Sequence, residues 1–145
     1  MTVYLDTSSL VKLYVTEAGT DVVHQLVGEA DVVATSVVAY AETRAALARL
    51  RRAGALSASA LTTAKRAFEE QWPAYLTLEA TDAVCRSAGE LAEKYSLRGF
   101  DSLHLASFAE VARRAGTDNT RFSSFDDHLN RAARKLTRTL ERSSQ

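Results

Sequence analysis

Short apolar runs alternate along this chain with amphipathic stretches of helical period, and that alternation restricts the fold more than any other feature. Thr2 to Leu5, Asp31 to Thr35, Tyr75 to Leu78 and Phe122 to Phe125 read as strands. Between and around them the apolar spacing predicts helices. The first carries Leu10, Leu13 and Tyr14, and others run over Thr20 to Glu29, Ser36 to about Ala53, Ser57 to Gln71, Thr81 to Tyr95, Ser102 to Ala115 and Asp127 to Leu140. Thr7, Ser8 and Ser9 offer N-cap chemistry to the first helix, Ser36 caps the third, and Gly54 stops it in the turn of a helical hairpin. Strands separated by helices pair in parallel, with the crossovers laying helices on both faces. The expected class is α/β in three layers around a parallel sheet. Thr117 to Arg121 is polar, which weakens the last strand, and the basic tail after Ala133 reads as helix, so the sheet has four or five strands.

The rest of the composition sets bounds. A chain of 145 residues, 46% hydrophobic with a single Pro, has the material for one well-packed domain spanning residues 1–145. No apolar run approaches the ~20 residues needed to cross a bilayer, and nothing like a signal peptide precedes Asp6. Cys85 is the only cysteine, so no intrachain disulfide forms, and the expected compartment is the cytoplasm. Cys85 itself reads as a packing residue, with nothing nearby to activate a thiolate.

Acidic residues mark the ends of the strongest apolar segments. Asp6 closes Val3-Tyr4-Leu5, Glu42 lies within an apolar helix beside Val38, Ala45 and Ala46, Asp101 opens another helix, and Asp126 follows Phe122-Ser123-Ser124-Phe125. Asp6 and Asp126 fall at the carboxyl ends of strands, where open parallel sheets bind ligands. Carboxylates gathered there would repel one another unless a cation or shared protons relieved them. Hard Mg²⁺, with Mn²⁺ as substitute, selects such oxygen ligands and leaves positions open for water or phosphate. The chemistry to which this points is metal-assisted attack of water on a phosphodiester. Plainer readings exist for each acid. Asp6, Asp101 and Asp126 all suit a helix cap, but a solvated glutamate would not share a helical face with small apolar residues as Glu42 does.

Val3-Tyr4-Leu5-Asp6-Thr7-Ser8-Ser9-Leu10-Val11-Lys12, Thr35-Ser36-Val37-Val38-Ala39-Tyr40-Ala41-Glu42, Leu97-Arg98-Gly99-Phe100-Asp101-Ser102-Leu103-His104-Leu105-Ala106 and Ser124-Phe125-Asp126 resemble, in order, the four acidic blocks of the PIN-domain ribonucleases. The similarity is greatest to the VapC-type toxins of toxin-antitoxin pairs and runs from Thr2 to about Ala133. It implies a PIN-like fold and a metal-dependent endoribonuclease with Asp6, Glu42, Asp101 and Asp126 as catalytic and metal-binding acids. Asp127 competes for the fourth position, and its spacing from Ser124 favours Asp126. Ser9 and Ser124 are placed to hydrogen-bond ligand carboxylates or a metal-bound water, and Lys12 and Arg98 to hold a phosphate. The resemblance makes His104 part of a packing and orienting motif and not a ligand. It also implies an RNA substrate, a cognate antitoxin lying over the acidic groove, and a homodimer, for which the helices between Ser36 and Gln71 offer a contact surface.

Net charge is zero, with 18 basic and 18 acidic residues, so RNA would have to be gripped by local patches. Arg44, Arg49, Arg51 and Arg52 follow Glu42, and Arg131, Arg134, Lys135, Arg138 and Arg142 crowd the last helix. Two other enzyme readings fail on residues. A phosphohydrolase with an aspartate nucleophile needs a second Asp where Ser8 stands, and a Rossmann nucleotide binder needs a glycine-rich loop that is absent. A PIN-like module that binds RNA or protein without catalysis is the remaining alternative, and the presence of all four acids argues against it.

Overall fold

The computed structural model describes all of residues 1–145. Four strands, β1 (Thr2–Leu5), β2 (Val32–Ser36), β3 (Leu76–Leu78) and β4 (Thr120–Ser123), form one sheet in the order β3-β2-β1-β4 with every pair parallel. The helices are α1 (Thr7–Leu10), continued by a 3₁₀ turn over Val11–Leu13, then α2 (Thr20–Glu29), α3 (Ala39–Arg52), α4 (Ala58–Gln71), α5 (Asp82–Tyr95), α6 (Gly99–Ala115) and α7 (Asp127–Ser143). None is long and apolar enough to cross a membrane.

Central β1 is buried along its whole length, and its alternating side chains separate the two cores. Val3 and Leu5 point to one face and pack with Leu10, Val23, Ala39 and Phe68. Tyr4 points to the other and meets Leu105, Phe108, Leu129 and Leu136 from α6 and α7. Tyr4 stacks on Phe122 at a centroid distance of 5.9 Å, which locks β4 beside β1. The three-layer α/β reading therefore holds, with four strands.

Helix α7 runs on to Ser143, past the expected Leu140, and three boundaries near the acids also differ from the sequence reading. Ser36 does not cap α3. It remains in register with Leu78 of β3, and its hydroxyl accepts from the Val38 backbone N–H in a tight turn, so α3 starts at Ala39. Helix α6 starts at Gly99 instead of Ser102, after Arg98 as N-cap. Strand β4 occupies Thr120–Ser123 rather than Phe122 to Phe125, because Thr120 and Arg121 pair with Thr2 and Val3 despite their polarity. In consequence Glu42 and Asp101 lie in the first turns of their helices, while Asp6 and Asp126 are the N-caps of α1 and α7. All four acids stand at helix N-termini, where the partial positive charge of the free amides favours carboxylates.

Candidate active site

At the carboxyl ends of β1 and β4 the surface opens into a cleft of ≈ 600 Å³ lined by Asp6, Glu42, Asp101 and Asp126 together with Arg49, Arg98 and Phe125. Asp127 does not line it.

Asp6 is 4% exposed, and both of its oxygens are held. Oδ1 accepts from the Ser8 hydroxyl at 2.6 Å and the Ser9 backbone N–H at 3.0 Å, while Oδ2 accepts from the Ser124 hydroxyl at 2.6 Å. Ser124 in turn accepts from the Asp126 backbone N–H, and Ser8 from that of Phe125, so the segment joining β4 to α7 is tied directly to Asp6. Burial pushes the Asp6 carboxyl above its ordinary range, and the Ser124, Ser8 and Ser9 hydrogen bonds only partly offset that.

Glu42 is oriented by a chain that begins in the core. Burial holds the Tyr4 phenol well above its usual range, so it stays protonated, and its hydroxyl is hydrogen-bonded to His104 Nδ1 at 2.9 Å. His104 Nε2 lies 2.8 Å from Glu42 Oε1, and the Thr7 hydroxyl donates to the same oxygen at 2.7 Å. An ionised carboxylate only accepts, which assigns an Nε2 proton to the bond with Glu42. Burial raises the Glu42 pKa, but the His104 and Thr7 contacts outweigh it and hold the group below its ordinary range.

Arg98 spans the other two acids. Its Nε donates to Asp101 Oδ2 at 2.9 Å and its Nη2 lies 3.8 Å from Asp126 Oδ2. Asp126 uses Oδ1 to accept from the Leu129 backbone N–H, so it is a helix cap and a cleft residue at once.

The acids share the cleft without closing into a finished cage. In this arrangement no three His, Cys, Asp or Glu side chains stand at metal-ligating spacing. The reason lies in their partners: His104 and Thr7 hold Glu42, Arg98 draws Asp101, and the α7 amide holds one oxygen of Asp126. The donor set nevertheless suits a hard divalent cation, being all carboxylate oxygen. A cation already sits on part of it, since the Arg98 guanidinium lies between Asp101 and Asp126 on a side chain that is 82% exposed and free to swing away.

Two sequence expectations shift. Lys12 lines the cleft, but its ammonium is turned into the following loop, bonded to Glu17 at 3.0 Å and the Ala18 carbonyl at 2.8 Å, so it braces that loop and is not free for a phosphate. Ser9 reaches Asp6 through its backbone N–H, while its hydroxyl pairs with Ser123 at 2.9 Å. Sequence reasoning missed Tyr4, Thr7 and Ser8 as positioning groups. The hydroxyl run after β1 was the available signal, legible as capping but equally suited to gripping carboxylates across the cleft.

The PIN domain profile matches residues 3–135, a span that contains all four acids. Two proteins of Mycobacterium tuberculosis, ribonuclease VapC45 of strain CDC 1551 / Oshkosh and ribonuclease VapC49 of strain H37Rv, are each 43% identical over 109 residues, covering 75% of this chain and 76% of theirs. In fold, the chain resembles the crystal structure of M. tuberculosis VapC20, a sarcin-ricin loop cleaving toxin, with a TM-score of 0.63 at 22% identity over 90% of this chain and 94% of that one. A four-stranded parallel sheet with acids at four converging helix N-termini, a profile match over nearly the whole chain and relatives of this identity make the chain a member of the PIN-domain family.

Proposed function

We propose that the chain is a metal-dependent endoribonuclease and the toxin of a toxin-antitoxin pair, cleaving RNA phosphodiester bonds at the cleft between β1 and β4. The observation that carries this reading is the placement of Asp6, Glu42, Asp101 and Asp126 around one opening at the sheet's carboxyl edge, with Arg98 bridging two of them. The single domain 1–145 holds the complete site, and the protein works in the cytoplasm.

Asp6, Glu42, Asp101 and Asp126 would hold Mg²⁺ or Mn²⁺, which when bound supplies polarisation of the scissile phosphate and acidifies an attacking water. The chain's own residues provide orientation. Ser8 and Ser124 fix the plane of Asp6, and the Tyr4, His104 and Thr7 network fixes Glu42, so neither carboxylate has to find its rotamer during reaction. Arg98, released from Asp101 and Asp126, is placed to bind a non-bridging phosphate oxygen by its planar fork. Arg49 also lines the cleft, where it can neutralise a neighbouring phosphate.

The reading includes partners. A cognate antitoxin covers the acidic cleft and places a basic group where Arg98 now sits, and two copies pair through the α3–α4 hairpin. RNA cleavage with 5′-end mapping tests the activity. Cleavage should need Mg²⁺ or Mn²⁺, stop in EDTA and fall at least about a hundredfold in Asp6→Asn and Asp101→Asn, the scale expected on losing a group that organises transition-state charge. Cleavage that continued in EDTA or in Asp6→Asn would sink it.

A further inference from the structure

Away from the cleft, a second groove runs between β4 and α7, lined by Phe122, Asn130, Thr137 and the arginines Arg121, Arg134 and Arg138. No acidic residue lines it. Its helical wall repeats at positions 130, 134, 137 and 138, the spacing of a single stripe along α7. That stripe begins at the cleft, because α7 is capped by Asp126 and the Asn130 amide donates to the Ser124 carbonyl at 2.9 Å, next to the hydroxyl that holds Asp6.

Twelve of the 18 basic residues have no carboxylate within ion-pair distance, and those of this groove are among them. Lys12, Arg44, Arg86, Arg98, Arg113 and Arg114 are each paired with a carboxylate, whereas Arg121, Arg134 and Arg138 have none within ion-pair distance. In a chain whose formal charge sums to zero, the two unpaired guanidiniums of Arg134 and Arg138 on an acid-free groove form a local positive field. The buried side of α7 is apolar, with Leu129, Leu136 and Leu140 in the core, so the exposed side is not needed for folding. β4 is the outer strand on this side, and Arg121, in register with Val3, sends its side chain off the face opposite α7 and borders the groove only at the strand.

We propose that the β4–α7 groove carries the backbone of single-stranded RNA leading away from the cleavage site, with Arg134 and Arg138 contacting successive phosphates. From Asp126 to Arg138 the helix extends about 18 Å, room for several nucleotides of extended strand. The groove therefore adds affinity outside the reacting bond and makes cleavage depend on RNA length. This inference rests on the endoribonuclease reading.

The test compares wild type with Arg134→Ala/Arg138→Ala on a short RNA spanning only the mapped cut and on the same RNA extended by ten nucleotides to either side. Wild type should cleave one extended RNA with a lower KM than the short one, and the double variant should lose that advantage while cleaving the short RNA at the wild-type rate. Binding of the extended RNA in EDTA should fall with salt, with a log–log slope about 1.4 shallower in the double variant, the value for two single-strand phosphate contacts. Arg134→Lys/Arg138→Lys should restore the slope, and Arg113→Ala/Arg114→Ala, which removes paired arginines, should leave it unchanged. Equal length dependence and equal slopes in wild type and Arg134→Ala/Arg138→Ala overturn the groove assignment, including the case in which the groove takes only an acidic polypeptide. Failure of wild type to cleave any RNA with Mg²⁺ overturns the endoribonuclease reading, and the groove assignment with it.

Discussion

Asp6 works in two ways from one position: it caps α1 through the Ser9 amide, and it presents a buried carboxylate to the cleft. Its raised pKa has a consequence for stability. The folded state holds the Asp6 proton more tightly than the unfolded chain does, so this group's contribution becomes unfavourable as pH climbs from about the ordinary value of 3.8 through the raised one. Glu42 has the opposite sign. Its pKa is lowered, so its contribution is present above the ordinary value of 4.5 and is lost as pH falls through the folded value. Asp6→Asn keeps the cap through Oδ1 and removes the titrating carboxyl, giving up the bond from Ser124. Thermal melts of the metal-free protein from pH 4 to pH 7 should show the variant gaining on wild type as pH rises; parallel curves would mean that Asp6 carries no buried charge.

Elements place these residues, and α3 is the clearest example. Its first turn presents Glu42 to the cleft, while the next residue, Thr43, points inward and is fully buried with a hydroxyl that has no hydrogen-bond partner. Thr43→Val keeps the shape and helix propensity and removes an unsatisfied polar group, so it should stabilise the protein by about 1 kcal/mol, or roughly 2–4 °C in Tm, with cleavage intact. A fall in Tm would show that the hydroxyl is satisfied in solution. Much of this level was legible beforehand. Periodicity located α2, α4 and α5 to within a residue, and the acid blocks pointed to the right strand ends. What escaped was tertiary in origin. Ser36 looked like a cap until its pairing with β3 claimed it, Thr120 and Arg121 became strand only because β1 offered a partner, and the Tyr4 to His104 to Glu42 chain joins residues a hundred positions apart. Local pattern carries no record of such contacts.

For the molecule as a whole, neutrality conceals a division of charge. Acids collect at the helix N-termini around the cleft, unpaired arginines follow α7 away from it, and the two lie end to end. The central proposal is that the four acids form one cation site, with Asp101 and Asp126 now sharing the Arg98 guanidinium and Glu42 paired with His104. A ligand that binds only the folded state raises Tm as its concentration passes its dissociation constant. The most direct measurement is therefore the Mn²⁺ dependence of Tm at neutral pH for wild type, Asp6→Asn, Asp101→Asn and Arg98→Ala. The account predicts a clear rise with millimolar Mn²⁺ in wild type, little response in either Asn variant, and a response at lower Mn²⁺ in Arg98→Ala, where the competing guanidinium is gone. A rise of equal size in wild type, Asp6→Asn and Asp101→Asn would show that the metal binds elsewhere and that these carboxylates are helix caps alone.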